Sequence, residues 1–377
     1  MDFSLNEEQR AIADMARGLF ADHGSVERLE AFEADDSPYM AALWQDCLET
    51  GLQALALPEA VGGSGLGITE LMLVMQAQGE VLAQVPLWRH QLAAATLAEF
   101  GDAADRPLVE AAAAGHRLFT LSLHDLYGGR GLGLRGEPHA DGWRLTGRVA
   151  TLPLAEQAAV ALVPVALPEG VRLVWLDPRE PGVECRPGVL THGEAVAELV
   201  LDGAIIAASR VLPEAALGWL EARVTAALAA QQLGVSEAQI RQTVAYIAER
   251  RQFDRAIGSF QAVQMTMADA QIAVEALRSS LWQLCYRLDA GLAAPAEARA
   301  TAYLACEAGH LVGHKAQHVH GGTGVDLTYP IYRYLYWSRA LGIELGGASA
   351  ALDSLGDWLA HHDTLGWKYD LDEHPTP

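Results

Sequence analysis

Apolar positions along the chain change their period twice. In Ser4–His23, Leu5, Ile12, Met15, Ala16 and Phe20 recur close to the helical period, and Glu7 and Glu8 fall in the first turn, where the helix dipole favours anions. A glycine-rich stretch, Leu57–Gly67, interrupts the pattern, which resumes over Ile68–Leu82 and around Leu92–Phe100. From about Phe119 the runs are short and strand-like: Trp143–Val149, Ala158–Leu167, Val171–Leu176 and Ala195–Ile206, separated by turn residues. After Pro213 the helical period returns, with Leu220, Val224 and Leu228 on one face and then Ile240, Val244 and Ile247. Val274, Leu277, Leu281, Leu284 and Leu288 follow in steps of three and four, a stripe for burial against neighbouring helices. These patterns predict an α+β chain without internal repeats: a helical domain over 1–118, a small β domain over 119–212, a helical domain over 213–362 and a loose polar tail over 363–377.

Composition narrows the function classes. With 377 residues, 51% of them hydrophobic, the chain can bury a large core. Its formal charge is −22, from 26 basic and 48 acidic residues, and no basic run of useful length stands out. Nucleic acid and anionic lipid are therefore not expected partners. The start, Met1-Asp2-Phe3-Ser4, is polar and acidic, and no apolar run reaches the roughly 18 residues of a membrane span, so a cytoplasmic location is expected. Cys47, Cys185, Cys285 and Cys306 are far apart with no CxxC pair, which suits a reducing compartment and suggests neither a metal motif nor a disulfide framework.

Two stretches carry candidate chemistry. Tyr246–Gln261 ends a long helix in the charged cluster Glu249-Arg250-Arg251 and is expected to turn through Gly258 into the next helix. Paired arginines beside such a turn can hold a phosphate by charge-assisted forks, although favourable charge at a helix C-terminus would also explain them. Gln317-His318-Val319-His320-Gly321-Gly322-Thr323-Gly324 places glycines among polar residues, which lets a ligand approach the backbone closely. The two histidines lack a carboxylate or cysteine at ligand spacing, so no metal is expected. A literal GxGxxG at Gly131, Gly133 and Gly136 is followed by Glu137-Pro138-His139-Ala140-Asp141-Gly142, which reads as a turn before a strand rather than the opening of a helix. It is set aside as a dinucleotide fingerprint. GxSxG, GxxxxGK[ST] and HExxH motifs are absent from the sequence.

The segments MDFSLNEEQRAI, GLQALALPEAVGGSGLG, YIAERRQFDRAIGSFQAVQMTMADA and QHVHGGTGVDLTYPIYRY, in this order and spacing, resemble the acyl-CoA dehydrogenase family from the first helix to about Trp358. The resemblance implies an N-terminal helical domain, a middle β-barrel or sandwich, a C-terminal four-helix bundle that builds a tetramer core, FAD as cofactor, and α,β-dehydrogenation of an acyl-CoA thioester. It also implies that each FAD is shared between chains. Arg250, Phe253, Gln261, His318, Gly321 and Gly322 would then contact the adenosine and pyrophosphate of a flavin seated mainly in the neighbour. His318 stands where the family usually has glutamine, with Gln317 beside it.

The departures are larger elsewhere. Counted from Tyr329-Pro330, the family's catalytic glutamate falls on Leu345, and the alternative home of that base on an earlier helix falls on Val224. Neither side chain can accept the α-proton. The segment that lines flavin and substrate corresponds to about Thr120–Asp125, without the family's glutamate and proline, and the tryptophan segment that covers the flavin corresponds to Val149–Pro153, with threonine in place of the aromatic residue. What would serve the chain's own flavin ring has been lost, and what would serve a neighbour's flavin remains. This resembles the non-catalytic subunit of bacterial α2β2 acyl-CoA dehydrogenases that shorten steroid side chains. The leading expectation is such a subunit, paired with a paralogous acyl-CoA dehydrogenase chain and passing electrons to an electron-transferring flavoprotein. Two alternatives stand beside it: a self-sufficient homotetramer using Glu344, one residue from the expected base, and a non-enzymatic scaffold on the same fold.

Overall fold

The computed structural model describes residues 4–127, 131–140 and 142–362; the tail expected over 363–377 lies outside the described residues. Helices α1 (Glu7–His23), α2 (Val26–Glu33), α3 (Ala41–Thr50), α4 (Ile68–Glu80), α5 (Leu87–Phe100) and α6 (Arg106–Ala113) precede the sheet. Strand β1 (Phe119–Leu121), the short helix α7 (His124–Tyr127), and strands β2 (Leu134–His139), β3 (Gly142–Pro153), β4 (Val160–Leu167), β5 (Gly170–Leu176), β6 (Val183–Val189) and β7 (Ala195–Ala207) follow. The rest is helix α8 (Ala215–Glu249), a hairpin of β8 (Arg251–Gln252) and β9 (Arg255–Ala256), and helices α9 (Gln261–Asp289), α10 (Pro295–His320), α11 (Ile331–Glu344) and α12 (Ala348–Ala360). The chain forms two compact units: one of Met1–Glu30, Met72–Ala83 and Thr225–Pro377, the other of Ala31–Leu71 and Gln84–Val224.

The second unit is built on a mixed sheet of seven strands in the order β1-β4-β2-β3-β7-β6, with β5 on β4. β1 and β2 run parallel to β4, and the other pairings are antiparallel. Leu145, Val149, Val163, Val165, Val174, Leu199 and Leu201 fill its core. Strands β1, β2 and β6 carry too little apolar alternation to be read from sequence. β2 is Leu-Arg-Gly-Glu-Pro-His, and β6 is an edge strand, mostly exposed, that tolerates Pro187 because one side of its backbone has no ladder to donate to. The expected turn over Glu137–Gly142 is shorter than foreseen. Glu137, Pro138 and His139 pair with Arg144, Trp143 and Gly142, and Ala140 takes a left-handed φ of 46°. Gly136 thus sits within a strand rather than opening a helix, as the rejection of the dinucleotide fingerprint required.

His90 on α5 joins three pieces of this unit. Its ring is fully buried, Nε2–H donates to the Ala112 carbonyl (3.1 Å), Nδ1 accepts from the Phe119 amide (3.1 Å), and Trp44 meets the ring edge-on at 5.4 Å. Burial pushes its pKa down to about 4 from an ordinary 6.5. The folded pKa lies below the unfolded one, so the unfolded chain takes the proton first. The neutral ring's contribution is complete above pH 6.5 and is lost as pH falls toward 4, a change of about 3 kcal/mol at 1.36 kcal/mol per pKa unit. Denaturant midpoints between pH 7 and 4 should therefore fall less steeply in His90→Gln, which keeps a donor and an acceptor but cannot titrate. Parallel slopes would contradict this assignment.

In the first unit α1 begins at Glu7, not Ser4, because Asn6 caps it: its side chain accepts from Gln9 N (2.8 Å) while Gln9 Oε1 accepts from Asn6 N (3.1 Å). Ile12, Ala16 and Phe20 are buried as expected, but Met15 is 38% exposed and Ala13 takes the inward place. The two expected stripes after Pro213 are one continuous helix, α8, on which Val244 is 47% exposed. Helices α4 and α8 touch backbone to backbone: a Cβ on Gly79 would lie 2.2 Å from Gln231 O, and one on Gly234 would lie 2.0 Å from Gln76 O. On α9 the stripe Val274, Leu277, Leu281, Leu284 and Leu288 is buried throughout, and α9 packs along α10. No helix among the described residues is long and apolar enough to cross a membrane.

Candidate functional site

Between α8 and α9 the chain does not simply turn through Gly258. Arg250 N closes the last turn on Tyr246 O (2.8 Å), and then β8 and β9 form a hairpin whose two loop residues, Phe253 and Asp254, have φ of 52° and 65°. Such a loop favours Asn and Gly, and a bulky residue held in it is strained by about 1–3 kcal/mol, a signature that concentrates at functional sites. Arg251 Nη2 ties the hairpin by donating to Asp254 O (2.6 Å), and the Arg255 guanidinium lies 3.9 Å over the Phe260 ring. That leaves Arg250 as the free cation: exposed, with no ion pair or hydrogen bond from its side chain among the described residues. Phe253 is 85% exposed, and Gln261, also exposed, opens α9.

The glycine loop follows α10. Gly321 has φ 59° and ψ −134°, and its amide donates back to Gln317 O and His318 O. Gly321 and Gly322 are exposed, and a Cβ on either would meet no atom within 4 Å, so their backbone is open to a ligand. Gly324 is the packing glycine: its Cβ would lie 2.3 Å from Gln317 Oε1. The two histidines part company. His318 is exposed, whereas His320 is 3% exposed, donates from Nδ1 to Ala316 O (2.9 Å) and stacks on Tyr246, with ring centroids 4.3 Å apart and planes 23° apart. Burial pushes the His320 pKa down. Burial, with Tyr246 and Glu249 nearby, pushes that of Tyr329 up. No group of three metal-ligating side chains occurs among the described residues. Beyond the loop, Asp326 accepts from the amide and hydroxyl of Thr328, which holds its carboxyl below the usual range and stiffens the turn that exposes Val325 and Leu327.

The two residues expected at the base positions are hydrocarbon. Leu345 ends α11 and is 6% exposed, and Val224, on α8, is 4% exposed. Glu344 is half-buried, one residue and therefore about 100° around the helix from Leu345. In the β-bearing unit, the segments 120–125 and 149–153 are fastened to each other. The buried Thr120 donates from Oγ1 to Pro153 O (2.7 Å), and Asp125 Oδ2 accepts from Ala150 N (3.1 Å) beside the register shift in β3. Sequence reading missed Tyr246, Tyr329 and Asp125, whose roles lie in what they pack on; for Tyr246 the available signal was its place one turn before Arg250.

The residues fit an adenosine–pyrophosphate group: Arg250 offers an unpaired guanidinium, Phe253 an exposed flat ring, and Gly321–Gly322 accessible backbone. In the segments expected to line a flavin ring, Thr120 and Asp125 fit that role poorly, since they are already engaged with Pro153 and Ala150.

Comparison with known proteins agrees in fold and family. The model of the acyl-CoA dehydrogenase N-terminal domain matches residues 6–116, and that of the acyl-CoA dehydrogenase C-terminal domain matches residues 222–359. The acyl-CoA dehydrogenase FadE27 of Mycobacterium tuberculosis is 34% identical, over 96% of this chain and 99% of its own length. A variant of the Tcur3481-Tcur3483 steroid ACAD superposes with a TM-score of 0.90 at 39% identity, covering 96% of this chain and 99% of that one. The ChsE4-ChsE5 complex from Mycobacterium tuberculosis gives 0.90 at 32% identity, with the same coverage. The chain therefore belongs to the acyl-CoA dehydrogenase family of FAD-binding oxidoreductases.

Proposed function

We propose that this chain is the non-catalytic subunit of a heteromeric acyl-CoA dehydrogenase, with its own base lost and half of a partner's FAD site donated. One contrast carries the reading: the dinucleotide-facing groups Arg250, Phe253, Gly321 and Gly322 are exposed, with the Arg250 guanidinium unengaged among the described residues, while Thr120, Asp125 and Leu345, where a flavin ring and a base would be served, are closed on the chain itself or buried hydrocarbon. Bound FAD supplies hydride acceptance. This chain's part is to hold the anionic pyrophosphate with Arg250, to let it approach closely at the exposed Gly321–Gly322 turn, to give the adenosine Phe253 as a platform, and to add Gln261 and His318 as polar contacts. The α-proton of the substrate would go to a carboxylate of a paralogous partner in an α2β2 assembly. The segments 1–118, 119–212 and 213–362 would act as the three domains of that subunit.

The substrate class we propose is a steroid side-chain CoA thioester, with an electron-transferring flavoprotein as acceptor and a cytoplasmic location. The support is likeness to the steroid ACAD and to the two-chain ChsE4-ChsE5 complex. The competing reading gives the base role to Glu344. Glu344→Gln in the assembled enzyme should leave turnover unchanged. A loss of a hundredfold or more, the lower range for removing a general base, would make Glu344 the base and this chain a self-sufficient enzyme. A co-expressed assembly holding neither flavin nor activity would instead favour a scaffold.

A further inference from the structure

The Arg250 hairpin and the glycine loop are separate in sequence, and each has local ties: Arg251 closes the hairpin on Asp254 O, and the Gly321 amide caps α10 on Gln317 O and His318 O. One buried contact joins them. The His320 ring forms a triangle with two tyrosines: Tyr246 is stacked on it at 4.3 Å and 23°, Tyr329 is tilted against it at 5.5 Å and 47°, and Tyr246 and Tyr329 meet edge-on at 6.2 Å. Tyr246 is one turn before Arg250, whose amide donates to the Tyr246 carbonyl. Tyr329 closes the far side of the loop, its amide donating to Asp326 O (3.0 Å). His320 itself immediately precedes Gly321, and its Nδ1–H is used on Ala316 O, one of the carbonyls left over at a helix end, which fixes the rotation of the ring. Its Nε2 is buried and has no hydrogen-bond partner.

We infer that His320 is a positioning residue: packed in one three-ring cluster with Tyr246 and Tyr329, it locks the Gly321–Gly322 turn to the Arg250–Phe253 hairpin, so that the two segments present their ligand-facing groups as one surface. The inference rests on the reading of these segments as half of a dinucleotide site, but the lock can be measured without a cofactor. In the chain alone, His320→Ala should raise amide exchange about tenfold in both 250–256 and 321–325, while the middle of α10, residues 301–312, stays protected. His320→Phe, which keeps the ring contacts, should restore most of the protection; His320→Gln, which keeps a donor to Ala316 but no ring, should not. Tyr246→Leu cuts the same link from the other side, tests it should the alanine variant fail to fold, and combined with His320→Ala should add little beyond either alone. In the co-assembled protein, FAD affinity should fall about tenfold in His320→Ala, following the loosening. Exchange that rises only in 321–325, with the hairpin unmoved, would overturn the lock, as would failure of phenylalanine to rescue. If both segments loosen and FAD affinity does not change, the lock stands and the half-site reading falls.

Discussion

Replacing Arg250 with glutamate is expected to strip FAD from the assembled enzyme while leaving this subunit folded. The guanidinium is exposed and makes no hydrogen bond or ion pair among the described residues, so its removal costs the chain nothing internal. A hydrogen bond between a cation and an anionic group is worth about 1.5–3 kcal/mol, which corresponds to roughly 10- to 150-fold in affinity, and a carboxylate in its place adds repulsion from the pyrophosphate. Gel filtration at dilute protein should return a colourless mixed tetramer with an unchanged melting temperature. Arg250→Lys should fall between, because a point charge does not reproduce the planar fork. Full flavin retention in Arg250→Glu would mean that the hairpin does not face the cofactor.

On the proposed reading, placing a carboxylate at position 345 should not give this chain a reaction of its own. Leu345→Glu puts an ionisable group where the side chain is now 6% exposed, and burial raises a carboxyl pKa because the charged form is penalised. The folded pKa would lie above the unfolded value near 4.3, so the variant is least harmed at low pH. Its deficit grows as pH rises through the unfolded pKa and levels off above the folded one, reaching about 2–5 kcal/mol. The gap in denaturant midpoint between Leu345→Glu and the parent should therefore widen from pH 4 to pH 8. No dehydrogenation by the chain alone should accompany it, because Thr120 and Asp125 still close the ring-facing segments on Pro153 and Ala150. Turnover by the isolated Leu345→Glu chain would show that the ring site is intact.

Helical stripes were readable because burial on a helix repeats every three or four residues, and α9 keeps that repeat from Val274 to Leu288. The strands read correctly were those with apolar runs, β4 above all. β2 and β6 were missed because their residues are chosen by edge position and pairing rather than burial: Arg135, Glu137, Glu184 and Arg186 face outward. Met15 and Val244 show the limit from the other side, apolar residues at inward spacing that the fold leaves exposed. At the site, Arg250, Phe253 and the glycines stood out as motifs, since charge and backbone freedom are written in residue types. What did not show is which groups are spent and which are free. Arg251 and Arg250 are adjacent and identical, yet one is tied to Asp254 O and the other is unengaged. His318 and His320 likewise differ only in the face of the helix that carries them, about 200° apart. Such distinctions belong to packing and become visible only with the fold.

The central claim is that this chain donates half of a flavin site and does not hold one of its own. Flavin content per chain tests it most directly, measured by absorbance and solution mass on the protein purified alone and co-expressed with its paralogous partner. The account predicts little or no FAD on the chain alone, and about one FAD for every two chains in a mixed tetramer. A homotetramer of this chain carrying one FAD per subunit would contradict it.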